Sequence, residues 1–369
     1  MNKSVQIHQL TSGISFGDAI SNHIVDTKKA LNDAGYESEI FCEAIPSLDF
    51  GHRIYSLDKY EQEVSSSNNI LLVHFALYFS EQLVAWLKHL PDQKILVYHN
   101  ITPHTYFYGV NEALYDAAKR GRKQLQILSS FIDTAIGDSS YNCNELRDSG
   151  WQAVYRLPIS FDTERYETKP SSKIIKWGEK RANILFVGRV APNKKFEDLL
   201  LTFYYVKNIV LPEARLVLVG SGQGMEPYAN YLQAIIKQLQ LKDVHITGHV
   251  SMAELVAYYR TASVYLSMSE HEGFGVPLLE SIYFDVPVLA YKSSAVSETL
   301  GGQGILFTEK RYQDIAELIG LIINDTKLKQ KIVQNQRQTL SHFSYTTFQQ
   351  KLLKIIEEIL NRSKTATTQ

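Results

Sequence analysis

The stretch VYLSMSEHEGFGVPLLESIYFDVPVLA, residues 264–290, decides how the chain is read. Val264 to Met268 alternate bulky and β-branched side chains, the pattern of a buried strand. Ser269 to Gly275 is a turn holding two glycines. Val276 to Phe284 then places apolar residues at helical spacing until Asp285 and Pro287 stop the helix, and residues 286–291 read as the next strand. A glycine turn between a strand and a helix leaves unpaired backbone N–H groups at a helix N-terminus, where the macrodipole favours an anion such as phosphate. Two carboxylates flank the turn: Glu272 directly before Gly273, and Glu280 one to two turns into the helix.

Upstream, residues 183–187 read as a strand that runs into GRVAPNKK, residues 188–195. Arg189 and Lys194 are two cations at a strand–helix turn, suited to the negative charge that builds on a leaving phosphate. With these residues in view, Glu272-Gly-Phe-Gly-Val-Pro-Leu-Leu-Glu280 resembles the E-x7-E signature of the family 4 glycosyltransferases, retaining enzymes of the GT-B fold. Gly188 to Lys194 resembles their G-R-x-x-x-x-K segment; Lys195 departs from it, standing where the family usually has glycine. The plainer reading of each motif is a solvated surface loop. The resemblance implies that Glu272 binds the sugar hydroxyls, Glu280 the ribose, and Arg189 and Lys194 the phosphates, with Gly273, Phe274 and Gly275 forming the donor turn. It further implies that Ser221, in the glycine turn 220–224, faces the nucleotide and that backbone groups near Val250 hold the base. The match is loose at those two places. Residues 293–304 are similar to the family's G-G-x-x-E segment, with Glu298 in place but the leading glycines missing.

The first half opens with a strand at 5–10, a loop with Gly13 and Gly17, a helix over 19–34 closed by Gly35, and a second strand. That is how a Rossmann-like domain begins, although G-x-G-x-x-G is absent and NAD is not expected. The resemblance places Gly17 under the donor diphosphate; the alternative is a glycine needed only for its turn. Residues 69–75 and 94–99 read as apolar strands carrying His74 and His99. Ligands bind beyond the carboxyl ends of such strands. The resemblance gives His99 a place near the donor hexose, and His74 reads as structural. An aromatic loop at 105–110 precedes a helix over 111–131 with Lys119, Arg120, Arg122 and Lys123. Residues 106–123 could form a lip for an anionic membrane or a pyrophosphate-linked acceptor, or simply a solvated charged face. Residues 167–181, rich in Lys, Ser and Glu, read as a linker, and 348–361 as a closing helix.

At 369 residues the chain is long enough for two α/β domains, and a net charge of −1 gives no case for nucleic acid. Two cysteines supply neither a disulfide framework nor a four-ligand zinc site, and the polar first residues do not resemble a signal peptide. A cytoplasmic protein is expected, with a peripheral place on the inner face of the plasma membrane as the further option. The resemblance implies two Rossmann-like domains facing across a deep cleft: an acceptor domain at 1–165, completed by the helix 348–361, and a nucleotide-sugar domain at 175–345. It implies hexosyl transfer with retention from a nucleotide sugar, UDP-glucose first, to a saccharide or polyprenyl-diphosphate-linked acceptor in polysaccharide biosynthesis. No cofactor and no essential metal are expected, since no D-x-D motif is suitably placed. The alternatives are a GDP-mannose-dependent mannosyltransferase, a GT-B epimerase or phosphorylase, and a non-catalytic nucleotide-sugar-binding protein.

Overall fold

The computed structural model describes residues 5–15, 18–45 and 52–367, with side chains to residue 362. Two compact units emerge. The first comprises Met1–Pro103, Asp116–Ser160 and Phe343–Gln369; the second comprises His104–Tyr115 and Phe161–His342.

The first unit is built on seven parallel strands: β1 (Ile7–Thr11), β2 (Ile40–Cys42), β3 (Ile54–Ser56), β4 (Ile70–Phe75), β5 (Gln93–Tyr98), β6 (Thr134–Gly137) and β7 (Ala153–Arg156). Their order is β3-β2-β1-β4-β5-β6-β7. Every residue of β1 and β4 is buried, as strands covered on both faces require. The order reverses between β1 and β4, and in open α/β sheets ligands bind beyond the carboxyl ends of the strands at such a reversal. The last helix, Tyr345–Thr367, lays Phe348, Leu352, Ile356 and Ile359 onto Ile7, Leu31, Ile70 and Ile95, and so belongs to this unit's core. It starts three residues before the expected position because Ser344 supplies the first-turn acceptor, its hydroxyl receiving the Thr347 N–H at 3.3 Å. β3 and the helix Leu57–Glu63 after it are not apparent in the sequence. β3 is three residues long and only half-buried, too short to show an alternation.

The second unit has six parallel strands: β8 (Asn183–Val187), β9 (Arg215–Val219), β10 (Val244–Ile246), β11 (Val264–Ser267), β12 (Val288–Tyr291) and β13 (Ile305–Phe307), in the order β10-β9-β8-β11-β12-β13. Here the reversal lies between β8 and β11.

The stretch expected to be a linker is instead part of this unit, since Ser172–Gly178 is helical. Ile174 is buried, and Trp177 meets His245 edge-on with the Arg215 guanidinium 4.2 Å above its ring. Gly178 lies so close to the helix Met252–Thr261 that an added Cβ would stand 2.5 Å from the Thr261 side chain. The exposed Ser172, Lys173 and Lys176 dominate the composition of this short helix and hide its buried face.

Candidate active site

The order of the second sheet places the expected donor residues in a row. Loops leaving β10, β9, β8 and β11, four successive neighbours, carry Val250, Ser221, Arg189 with Lys194, and Glu272 in turn. Backbone hydrogen bonds stitch these loops together. Gly220 N–H donates to Gly248 O at 3.1 Å, and Val190 N–H to Ser221 O at 2.9 Å. Gly220 has φ +154°, and a Cβ there would stand 2.0 Å from the Gly188 carbonyl oxygen, so only glycine permits this approach. Across the reversal, Glu270 N–H donates to Asn193 O at 2.9 Å, and Asn193 Nδ2 donates to His271 O at 3.1 Å. Ser221 and Val250 are both half-buried on this surface.

The two expected cations differ in state. Arg189 is exposed and makes no side-chain hydrogen bond or ion pair with a described residue. Lys194 Nζ lies 2.6 Å from Glu272 Oε2, so the phosphate and sugar residues of the resemblance meet as an ion pair. Lys195 adopts the left-handed conformation, φ 54° and ψ 53°, that glycine would occupy freely. The turn therefore survives the departure from the family pattern. The Lys195 ammonium is held by Glu197 at 3.3 Å and Glu270 at 3.6 Å.

The glycine turn enters the helix Val276–Tyr283 through Gly275, at φ +98°, with Pro277 in the first turn where no N–H is needed. Gly273 precedes the buried Phe274, whose carbonyl accepts the Thr299 hydroxyl at 2.5 Å. Glu272 N–H donates to Ser294 Oγ at 2.7 Å, fixing the start of the turn. Glu280 is buried: Oε1 accepts the Tyr166 hydroxyl at 2.7 Å and Oε2 the Tyr259 hydroxyl at 2.5 Å. Burial pushes its pKa up, and the two hydroxyls oppose that shift. Neither tyrosine is singled out by the sequence, since both partners lie far from Glu280 along the chain and no spacing rule connects them.

In the first unit, Gly17 lies outside the described residues. Asp18 beside it caps the helix Ala19–Asp33 by accepting the Ser21 N–H at 2.8 Å. His99 and His74 come together because β4 and β5 are neighbours in the sheet. Gln9 Nε2 donates to the Ile24 carbonyl at 3.0 Å, which leaves Gln9 Oε1 to accept from His74 Nε2 at 2.9 Å. His74 Nδ1 is then the acceptor for His99 Nε2–H, also at 2.9 Å, and the two rings are nearly coplanar. His99 Nδ1 faces Asp138 Oδ2 at 3.4 Å. Burial and the neighbouring His99 hold the His74 pKa well below the usual histidine range. The His99 side chain is 1% exposed, with Nε2 directed at His74 and Nδ1 turned toward Asp138. Gln9 as a partner of His74, and Asp138 beside His99, are not apparent in the sequence.

The basic helix, Glu112–Leu128, is not uniformly outward-facing. Arg122 turns inward, donating to the Ile101 carbonyl and to Glu145, each at 2.7 Å. Arg120 and Lys123, with Lys88 and the exposed Ile127, line a groove of about 800 Å³ in the first unit. Among the described residues no helix is long and apolar enough to cross a membrane, and no three His, Cys, Asp or Glu side chains converge on a metal position.

Residues 167–339 match the family described as "Glycosyl transferases group 1". A Haemophilus influenzae "Uncharacterized glycosyltransferase" is 24% identical over 242 residues, 64% of each chain. A Campylobacter jejuni alpha-1,4-N-acetyl-D-galactosaminyltransferase, named for an undecaprenol-linked substrate, is 26% identical over 186 residues, half of each chain. The matches thus span half to just under two thirds of those two relatives. Anabaena HepE, solved in complex with UDP-glucose, superposes with a TM-score of 0.74 at 18% identity, covering 96% of this chain and all of that one. That likeness, with two parallel-sheet Rossmann-like units, shows the GT-B fold.

Proposed function

On the premise that residues 167–339 form a glycosyl transferases group 1 domain within a GT-B fold, we propose that the chain transfers a hexose from UDP-glucose to a hydroxyl acceptor with retention of anomeric configuration. The observation that carries this reading is the row of four loops at the carboxyl ends of β10, β9, β8 and β11, with Arg189 among them unpaired with any described residue. A leaving nucleoside diphosphate gathers charge as the bond from the anomeric carbon to phosphate oxygen breaks. Arg189 stabilises that charge, and Lys194 exchanges Glu272 for a phosphate oxygen. Glu272, so released, accepts from the sugar hydroxyls. The acceptor oxygen bonds to the anomeric carbon on the face the diphosphate leaves, and the acceptor proton passes to the departing phosphate oxygen. Protein carboxylates then need only position the sugar, unlike the acid and nucleophile of a retaining glycosidase.

Backbone groups at Gly248 to Val250 suit uracil, which needs few partners, and no acidic side chain in that turn is offered to guanine. The HepE likeness supports the same donor. A polyprenyl-diphosphate-linked saccharide in polysaccharide biosynthesis is the acceptor that the Campylobacter relative favours. The groove beside Lys88, Arg120 and Lys123 would rest against an anionic membrane on the cytoplasmic side. Incubating the full chain with UDP-glucose and a polyprenyl-diphosphate saccharide should release UDP and yield an α-linked product by proton NMR. Product formed only from GDP-mannose would reassign the donor, and a β-linked product would overturn retention.

The two glutamates should separate kinetically. Glu280→Gln is expected to raise the donor KM with little change in kcat, because ribose contacts are equal in ground and transition states. Glu272→Gln is expected to lower kcat mainly. Steady-state kinetics showing the reverse would exchange their roles.

A further inference from the structure

Resting on the ribose role given to Glu280, we propose that Tyr166 and Tyr259 are positioning residues for donor recognition, holding the Glu280 carboxylate ionised and in one orientation. Each carboxylate oxygen receives one phenol hydroxyl, at 2.7 and 2.5 Å, from a different part of the unit. Tyr166 comes from the short turn Glu164–Tyr166, and Tyr259 from the helix Met252–Thr261. A carboxylate offers about four lone-pair sites, so two remain for the vicinal hydroxyls of a ribose. Neither phenol is free to turn elsewhere. Tyr259 is fully buried, with its ring stacked on Phe284, and Tyr166 is buried between Phe161 and Tyr283. Among the described residues Arg165, Tyr166, Tyr259 and Tyr265 are the titratable groups coupled to Glu280, and of these Tyr166 and Tyr259 hydrogen-bond it.

A carboxylate this buried would otherwise take up a proton and lose acceptor capacity, because burial penalises the charged form. Two donated hydroxyls favour the ionised form. Removing either raises the pKa further, so that donor binding weakens first at low pH and recovers as pH rises. A tyrosine that merely fills space would leave the pH profile where it is, since phenylalanine keeps the ring.

The test uses the full chain, with donor KM and kcat for UDP-glucose measured from pH 5.5 to 9 for wild type, Tyr166→Phe, Tyr259→Phe and Glu280→Gln. The expected result is a donor KM raised at least about fivefold by each phenylalanine at neutral pH, with kcat within about twofold. The acid limb of 1/KM should move to higher pH, and the defect should shrink at pH 9. Calorimetric binding of UDP at pH 6 and pH 9 reports the same loss and recovery independently of turnover. If Glu280→Gln raises KM while both phenylalanine variants keep the wild-type KM and acid limb, the positioning role is wrong and the ribose reading stands. If Glu280→Gln leaves KM unchanged, both are wrong.

Discussion

Arg189→Ala is expected to lower donor turnover by about 10²-fold, and Lys194→Ala by more. Arg189 is exposed and has no side-chain partner among the described residues, so its removal deletes a charge-stabilising group without disturbing any of them. Loss of one preorganised group of this kind costs about 10² to 10³ in kcat. Lys194→Ala removes a cation and also strands Glu272, whose carboxylate is 13% exposed and loses a partner at 2.6 Å. An uncompensated carboxylate beside a diphosphate repels it, which adds to the loss. The double variant Lys194→Ala with Glu272→Gln should therefore bind UDP more tightly than Lys194→Ala alone. Single-turnover rates and UDP affinities of the three variants measure this, and near-wild-type turnover in both alanine variants would remove the cations from the mechanism.

Gly220→Ala should destabilise the second unit by about 3 kcal/mol, an effect set by backbone rather than by side-chain packing. The new Cβ would meet the Gly188 carbonyl oxygen at 2.0 Å, and that oxygen belongs to the loop carrying Arg189. A side chain could swing aside; this carbonyl is fixed by the strand before it. Either the β8 and β9 loops part, weakening donor binding, or the unit unfolds at a lower temperature. Gly13→Ala is the control, since nothing lies within 4 Å of its added Cβ and its φ is unstrained. Thermal melts of the two variants, followed by tryptophan fluorescence, should show the fall in Gly220→Ala alone.

Much of the fold is legible in the chain because buried parallel strands read as short continuous apolar runs. ILLVHF and RLVLV are of that kind, and the strand–turn–helix around Glu272 shows each element in order. Elements too short to carry a period are not legible: β3, and the helix Ser172–Gly178 masked by its own exposed lysines. The site divides in the same way. Arg189, Lys194, Glu272 and Glu280 sit within two compact motifs, so local spacing identifies them. Their pairings are made by topology. That Lys194 meets Glu272 follows from β8 and β11 being neighbours across the reversal, and that Tyr166 and Tyr259 meet at Glu280 follows from packing. His99 shows the converse, since its place at a strand end is visible in sequence. That its ring pairs with His74 and faces Asp138 depends on which strands lie side by side.

The loops of β8 to β11 are expected to bind a nucleoside diphosphate through Arg189. Isothermal titration of UDP into the full chain and into its Arg189→Ala variant tests it most directly. Saturable binding to the wild type is expected, weakened at least about tenfold in the variant, a difference of about 1.4 kcal/mol. Absence of binding to any nucleoside diphosphate, or equal affinity in the two proteins, would contradict it.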